Sequence, residues 1–305
     1  MRVARYLFWM VCTAILLSNS SFAADSPPLG VYPTPPVPIA GERIVLIYRF
    51  AWIGFPVTFP KQEVQLNGNA LDVTIFIERQ SMNGNMGVIA TSAEIDSLPS
   101  GTYHLRFYSR VKNPGDADYA SPYLVSAQDM YVAPSTAATS AIEFFNAGLG
   151  HYFQTVRPDE VAALDSGVFP GWVRTGKSYR VYARANVQQG PHQLEPVCRY
   201  YGLPSAGLDT HFFSAFQSEC EAIPTLFPNS WVLESPNAYF AVLPYIKADG
   251  HCPEFMVPVY RLWNARADVN HRYTTSLSVR EEMILQGWIP EGYGSLGVGY
   301  CALSG

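Results

Sequence analysis

The sequence contains few charged residues, and basic residues are fewer than acidic ones. Lys and Arg number 20 and Asp and Glu number 25 among 305 residues, which gives a formal net charge of −5. Nucleic acids and other polyanions are bound through clustered basic side chains, which this composition does not supply. We therefore expect no nucleic-acid partner.

Long apolar runs are missing after the first residues of the chain. Arg2 and Arg5 precede an apolar run from Tyr6 to Leu17, and small residues follow it. This order is typical of a secretory signal peptide spanning residues 1–23, with cleavage after Ala23. No later run approaches the roughly 20 apolar residues that span a bilayer. The sequence therefore predicts a secreted or periplasmic protein whose mature chain has no membrane span.

Familiar catalytic motifs are also missing. The sequence has no GxSxG, no HExxH and no phosphate-binding loop, which are the local patterns of common hydrolases and nucleotide-binding enzymes. We expect a non-catalytic protein without a cofactor.

The feature that is present is a recurring motif in the C-terminal half. His151, His211 and His271 stand sixty residues apart and open the stretches HYFQT, HFFSA and HRYTT. A fixed period predicts one supersecondary unit used three times, in which neighbouring copies bury one another's apolar faces. The repeats are expected at about 142–196, 197–257 and 258–305.

Each repeat is expected to contain a leading strand, the histidine strand, a short helix, a tryptophan and a closing strand. The leading strands are predicted at Ile142–Phe145, Val197–Tyr201 and Pro258–Trp263. The helices are predicted at about Pro158–Leu164, Ser218–Ile223 and Ser278–Gln286. The closing strands are predicted near Tyr179–Ala183, Ala238–Val242 and Val298–Ala302. Ser218 with Glu221 and Ser278 with Glu281 fit capping boxes, while Pro158 suits a first helical turn.

These residues resemble a C-terminal triple-repeat domain of unknown function that occurs in exported bacterial and fungal proteins. Its motif joins aromatic-Tyr-Asn, His-Phe-Tyr-Thr, a Glu-bearing helix and Trp with Glu-Gly. The stretches VYRLWN, HRYTT, SVREEM and GWIPEGYG of the third repeat match it, and the first repeat, which has no Glu-Gly after Trp172, departs most. The resemblance implies the repeat architecture, export and paired cysteines, and no catalytic residue.

Cysteine is scarce, and four remain once the leader is removed: Cys198, Cys220, Cys252 and Cys301. An even number in an oxidising compartment predicts two disulfides. Of the three connectivities we favour Cys198 with Cys220 and Cys252 with Cys301, because each pair then staples the ends of a repeated segment. A zinc site is the alternative, and no two cysteines have CxxC spacing.

Residues 30–133 are predicted to form an immunoglobulin-like antiparallel β-sandwich. The proline-rich start suits an extended edge, and the Asn67-Gly68 pair suits a hairpin turn. Strands are predicted at Arg43–Phe50, Glu63–Leu66, Ala70–Glu78, Met86–Ile95, Thr102–Val111 and Ser126–Val132. The stretch from Leu98 to Tyr108 resembles the penultimate strand of such modules, with Tyr103 as the corner tyrosine. The small, polar residues 134–141 are predicted to form a linker.

Repeat-related aromatic residues are the candidate ligand-binding groups, because aromatic rings stack on sugars. They are Trp172, Trp231, Trp288, Tyr152, Phe212 and Tyr273. The alternative is that they form the cores of the repeats, and we expect the tryptophans to be mostly buried. For the three histidines, a shared metal site on a threefold axis is weighed against structural hydrogen bonding inside each repeat; the second is preferred, so no metal is expected.

Acidic residues near the helix starts raise the possibility of a two-carboxylate hydrolase. They are Asp159, Glu160, Glu219, Glu221, Glu281 and Glu282. The helix macrodipole explains the same placement without catalysis.

The expected fold is mainly β with short helices: a β-sandwich followed by a three-repeat α+β domain with pseudo-threefold symmetry. The expected function is non-catalytic binding or display at the cell surface, with glycan or a cell-wall polymer as the ligand class. The alternatives are an exported hydrolase, whose polar residues would occur in only one repeat, and a purely structural spacer or adhesion module. The sequence does not address the oligomeric state.

Overall fold

The computed structural model describes residues 29–53, 56–80, 86–184 and 192–304. The predicted signal peptide and its cleavage site lie outside these residues. The chain divides into two compact units, one of residues 29–137 with His192 and one of residues 138–184 with 193–304. Within the described ranges, no helix has both the length and the apolar character needed to cross a membrane.

The first unit consists of short strands. They are β1 (Gly30–Thr34), β2 (Ile44–Ile53), β3 (Val57–Thr58), β4 (Gln62–Asn67), β5 (Ala70–Arg79), β6 (Met86–Ile95), β7 (Gly101–Lys112) and β8 (Tyr123–Val132). The six predicted strands correspond to β2 and β4 to β8, and the proline-bearing start forms the edge strand β1 beside β2. Gly68 has a φ of +59° in the turn between β4 and β5, which glycine adopts without steric cost.

The strands of the first unit form two sheets that share one apolar core. One sheet has the order β1-β2-β6, and the other joins β3 and β4 to β5, β7 and β8. Leu46, Val73 and Phe107 are fully buried in the common core. β5 and β7 pair in parallel, which departs from the antiparallel prediction because β6 between them belongs to the other sheet. Tyr103 Oη donates to the carbonyl of Pro99 over 3.0 Å, the hydrogen bond of a tyrosine corner; the likeness to immunoglobulin modules stays a prediction.

The second unit contains the same series of elements three times. The first repeat comprises β9 (Ala138–Asn146), β10 (His151–Thr155), α1 (Pro158–Asp165) and β11 (Trp172–Tyr182). The second comprises β12 (Glu195–Gly202), β13 (Thr210–Ser214), α2 (Gln217–Leu226) and β14 (Trp231–Ala241). The third comprises β15 (Met256–Trp263), β16 (His271–Thr274), α3 (Leu277–Leu285), β17 (Ile289–Pro290) and β18 (Val298–Leu303). The mainly β prediction with short helices is confirmed.

All strands of the second unit join one ten-stranded sheet. Its path is β13-β12-β14-β11-β18-β15-β16, with β9 and β10 attached through β11, and β17 attached to β15. The leading strands of the three repeats place Phe144, Val197 and Val259 in one core cluster, each fully buried. The repeats therefore share a single core, and their predicted threefold symmetry stays a prediction.

Three tyrosines from the closing strands meet at the centre of this core. Tyr300 Oη lies 2.6 Å from Tyr179 Oη and 2.6 Å from Tyr239 Oη. Gln154 Nε2 donates to Tyr239 over 2.8 Å and to Tyr300 over 3.1 Å. Burial raises the pKa of Tyr179 and Tyr239 far above the usual value, so the phenols stay neutral. Hydroxyl groups that bind one another satisfy polar atoms that would otherwise be costly to bury.

The linker predicted at residues 134–141 is replaced by regular structure. Residues 135–137 form a turn of 3₁₀ helix, and β9 begins at Ala138. Ala138 pairs with Tyr182, and Ala141 pairs with Tyr179. The small residues are accepted in a strand because β11 supplies the large side chains of each pair.

Both predicted disulfides are confirmed. Cys198 of β12 is bonded to Cys220 of α2, with Cα atoms 6.1 Å apart. Cys252 is bonded to Cys301 of β18, with Cα atoms 5.7 Å apart. The first bridge fixes a helix to its own repeat, and the second fixes the segment before β15 to the last strand.

The predicted helix caps are wrong at two of the three helices. Ser218 lies inside α2, whose N-cap is Phe216, and α3 is capped by Ser276, whose Oγ accepts from Val279 N over 3.3 Å. Pro158 is the first residue of α1, as predicted. The capping-box predictions fail because α2 and α3 each begin one residue before the predicted serine, Ser218 or Ser278.

Candidate functional site

The structure places the three histidines in unequal positions. Thr155, Ser214 and Thr274 accept hydrogen bonds from the N-cap residues of α1, α2 and α3 over 3.0–3.2 Å, which aligns these three residues. Counting back from them aligns His211 and His271 with Tyr152, one residue after His151. The strand pairing agrees, because Phe145, Tyr201 and Trp263 lie opposite Tyr152, His211 and His271. His211 and His271 therefore occupy one position of the histidine strand, and His151 lies one residue before the matching position.

Each histidine contacts a different carboxylate. His211 Nε2 lies 3.2 Å from Glu234, and His271 Nε2 lies 2.9 Å from Glu291, in both cases within the repeat. His151 instead contacts the carboxylate of Asp268 in the third repeat at 3.0 Å. In the part of the chain that the structure describes, no three His, Cys, Asp or Glu side chains are placed to hold a metal ion.

Arginines on the leading strands connect one repeat with the next. Arg261 binds Glu219 through both terminal nitrogens at 2.7 and 2.8 Å. Arg199, at the same position of the second repeat, binds Glu160 at 2.7 Å and Glu234 at 2.6 Å. Glu160 and Glu219 lie in the first turns of α1 and α2, where the macrodipole favours them, and each also binds an arginine of the following repeat.

A cavity of about 310 Å³ lies beside Arg199, between the first and second repeats. We call it the Arg199 cavity, and its lining residues are Phe153, Glu160, Leu164, Phe169, Trp172, Arg199, Tyr201, Asp209, His211 and Glu234. Aromatic rings form part of its wall and three carboxylates form another part. Its size falls at the lower end of the roughly 300–1,000 Å³ of small-molecule sites.

The corresponding place in the next repeat is filled. Phe212, Ile223 and Trp231, the counterparts of Phe153, Leu164 and Trp172, belong to a buried apolar cluster. Val269, two residues before His271, packs against that cluster. Asp209 stands at the same position of the second repeat, two residues before His211. Both residues have positive φ, +41° for Val269 and +57° for Asp209, so the backbone is similar and the side chain differs.

Hydrogen bonds and burial set the charges in the Arg199 cavity. Burial alone would raise the pKa of Glu234, but contacts with His211 and Arg199 outweigh it and lower that pKa to about 2. Burial likewise opposes ionisation of Glu160, yet bonds from Arg199 and Thr155 lower its pKa. Burial lowers the pKa of His211, against the influence of Glu234. At neutral pH the cavity therefore holds ionised glutamates and a neutral imidazole.

A second, smaller cavity adjoins the first through shared residues. It measures about 200 Å³ and shares Arg199 and Glu234 with the Arg199 cavity. Arg157, Ser235 and Asn237 contribute polar groups to its wall. The two cavities therefore adjoin at the Arg199–Glu234 ion pair.

Of the six predicted ligand-binding aromatics, Trp172 lines the Arg199 cavity and is half-buried. Trp231, Phe212 and Tyr273 are buried, and the hydroxyl of Tyr273 donates to the carbonyl of Phe213 over 2.8 Å. Trp288 packs edge-on against Tyr152 with ring centroids 5.7 Å apart. All six pack against other side chains of the repeats, Trp172 against Phe153 with ring centroids 6.0 Å apart, and Trp172 also lines the cavity.

Several cavity residues were missed by sequence reasoning, notably Tyr201, Asp209 and Glu234. A usable signal was present in the repeats themselves. Glu234 and Glu291 both follow their tryptophan by three residues, and Arg199 and Arg261 share one position of the leading strand. Recurring charged residues in a charge-poor chain indicate buried ion pairs.

One family model matches the chain: a domain of unknown function, DUF5648, over residues 245–298. The match identifies a C-terminal domain of unknown function and covers most of the third repeat. Comparisons with curated proteins and with solved structures gave no match.

Proposed function

We propose that this chain is a secreted, non-catalytic binding protein, that its ligand is a glycan or cell-wall polymer, and that the Arg199 cavity is the binding site. The observation that carries the proposal is the difference between two copies of one arrangement. Around Trp231, Val269 packs on the aromatic cluster and covers it. Around Trp172, the charged Asp209 takes the place of that valine, and a cavity remains. Leaving an aromatic cluster open to water sacrifices burial energy, and such losses concentrate at functional sites.

The chemistry of the cavity wall suits a carbohydrate. Trp172 and Tyr201 contribute aromatic rings to the wall, while Glu160, Asp209 and Glu234 contribute hydrogen-bond acceptors. Sugar rings have apolar faces that pack on aromatic rings and hydroxyl edges that donate to carboxylates. The volume of about 310 Å³ suits one or two sugar units, because it lies at the small end of ligand sites.

The protonation states favour binding over hydrolysis. Glycoside hydrolysis uses one carboxyl that keeps its proton at working pH. Glu160 and Glu234 both have lowered pKa values and both bind the same guanidinium. Neither carboxyl is therefore suited to donate a proton.

The test is a glycan array probed with the purified mature chain, followed by titration of the best ligand into variants. Trp172→Ala removes the aromatic platform and is expected to weaken binding at least about tenfold, as loss of a central aromatic contact does. Asp209→Val places the residue of the closed repeat at this position and is expected to abolish binding. Tyr123→Ala, which removes an exposed aromatic of the first unit, is the control and is expected to bind normally.

A blank array would contradict the proposal, and so would normal binding by both Trp172→Ala and Asp209→Val. Circular dichroism and thermal unfolding of each variant separate loss of binding from loss of fold.

A further inference from the structure

We infer that the ligand of the Arg199 cavity is a cationic amino sugar, a hexosamine whose amine is free and protonated rather than acetylated. The inference rests on the proposed function and names the sugar class that the site selects. It comes from the charge balance, the free acceptor atoms and the aromatic wall of the cavity.

The cavity has an excess of negative charge. Glu160, Asp209 and Glu234 line it together with a single guanidinium, that of Arg199. The imidazole of His211 has a lowered pKa and adds no charge at neutral pH. Three carboxylates against one cation give the lining a formal charge of −2. Arg157, which lies 3.6 Å from Glu160, is itself paired with Asp159 at 2.5 Å and leaves this excess in place. The excess repels sulfated, phosphorylated and uronic sugars.

Arg199 already binds two carboxylates of the cavity. Its Nε donates to Glu234 at 2.6 Å and its Nη1 donates to Glu160 at 2.7 Å. The side chain is also nine-tenths buried, with 9% exposed. The positive charge of Arg199 is therefore balanced by carboxylates of the protein itself.

Two carboxylate oxygens remain open to a ligand. Glu234 uses Oε2 for both Arg199 and His211, and Asp209 uses Oδ1 for the hydroxyl of Tyr201 at 2.8 Å. Among the described residues, none donates to Glu234 Oε1 or to Asp209 Oδ2. An ammonium group carries three donors and no acceptor, so it complements two anionic acceptors better than an acetamide, which has one N–H and an added carbonyl.

The aromatic wall strengthens the same preference. Trp172 and Tyr201 line the cavity that contains the carboxylates. The face of an aromatic ring carries negative charge density and attracts cations, most strongly for tryptophan. A protonated amino sugar gains from both parts of the wall, whereas a neutral sugar gains only stacking and hydroxyl contacts.

The test compares two probes by calorimetric titration into the mature chain at about pH 6, where an amine is protonated. The glucosamine trimer is expected to bind at least about tenfold tighter than the N-acetylglucosamine trimer, and salt at about 0.5 M is expected to reduce that ratio because exposed charges are screened. Asp209→Asn keeps an acceptor for Tyr201 and tolerates positive φ. It is expected to weaken the glucosamine trimer about fivefold and to leave the N-acetylglucosamine trimer unchanged.

Glu282→Gln, which changes net charge equally on the exposed face of α3, is the matched control and is expected to leave both affinities unchanged. Equal or tighter binding of the N-acetylated trimer would overturn the amine preference and leave the glycan site standing. An equal loss of affinity in Asp209→Asn and Glu282→Gln would overturn the local role of Asp209. If neither trimer binds and the glycan array is blank, both the inference and the proposed function fail.

Discussion

At the residue scale, one position separates a closed cluster from an open cavity. Val269 packs on the apolar cluster of Phe212, Ile223 and Trp231, and Asp209 stands at the same place in the preceding repeat. A β-branched residue at positive φ is strained, so burial must offset that strain at Val269. At Asp209 the same backbone carries a residue that tolerates positive φ and stays hydrated.

Glu234 makes acid stability a measurable consequence of the Arg199 cavity. Its pKa falls from 4.5 to about 2 in the fold, so the ionised form contributes stability above about pH 4.5 and that contribution is lost as the pH falls through about 2. Glu234→Gln is expected to melt below the wild type at pH 7, with the difference shrinking as the pH falls from 4.5 to about 2. Thermal unfolding across this pH range measures it, and Glu282→Gln serves as control. A difference that stays constant with pH would contradict the assignment.

At the element scale, strands and helices followed local pattern closely. The helices lie within about three residues of their predicted ends, because a short helix-forming run followed by a tryptophan recurs in each repeat. The errors arose where tertiary contacts decide. β9 extends into the predicted linker because it pairs with Tyr179–Tyr182 of β11. The caps of α2 and α3 were misplaced because the hydroxyls of Ser214 and Thr274 accept from the backbone N–H of the N-cap residues Phe216 and Ser276.

The Cys198–Cys220 bridge should stabilise the second repeat. It closes a segment of 22 residues and joins β12 to α2. Replacing both cysteines by alanine is expected to lower the free energy of unfolding by roughly 3 kcal/mol, because the cross-link restricts the unfolded chain. Denaturant unfolding measures the change, with the reduced wild type as comparison. An unchanged midpoint would show that packing of α2 alone holds the helix in place.

At the scale of the whole repeat unit, ring contacts run around the three repeats in a closed cycle. Phe153 packs on His211 with centroids 4.5 Å apart, and Phe212 packs on His271 at 5.1 Å. Arg272 completes the cycle by lying 3.9 Å from the ring centre of Tyr152. Each repeat thus contacts both others, which favours a single cooperative unit.

Tyr300 tests this cooperativity because its hydroxyl binds groups of the other two repeats. Tyr300→Phe removes contacts with Tyr179, Tyr239 and Gln154 and is expected to cost about 1–3 kcal/mol, since buried partners lose a hydrogen bond. Hydrogen exchange is expected to rise in β10, β13 and β16 together. Faster exchange confined to the third repeat would contradict a single cooperative unit, and Tyr123→Phe on the exposed surface is the control.

The candidate site was less predictable than the fold. The sequence predicts Trp172 as a ligand-binding residue. The ion pair of Arg199 with Glu160 joins the second repeat to the first, and no local pattern specifies which repeats become neighbours. The cavity is recognised by comparing Asp209 with Val269, which packs on the apolar cluster at the same position of the next repeat. That comparison requires the strand register, which sequence spacing gave one residue wrong in the first repeat.

The offset of Tyr152 against His211 and His271 has a consequence for tracing the ancestry of this protein. In a strand, neighbouring side chains point to opposite faces, so an alignment anchored on three histidines would match inward positions of the first copy with outward positions of the others. Anchoring on Thr155, Ser214 and Thr274 restores the correspondence. A profile of the duplicated segment built on these hydroxyl residues should therefore detect first copies in related genomes that a histidine-based profile overlooks.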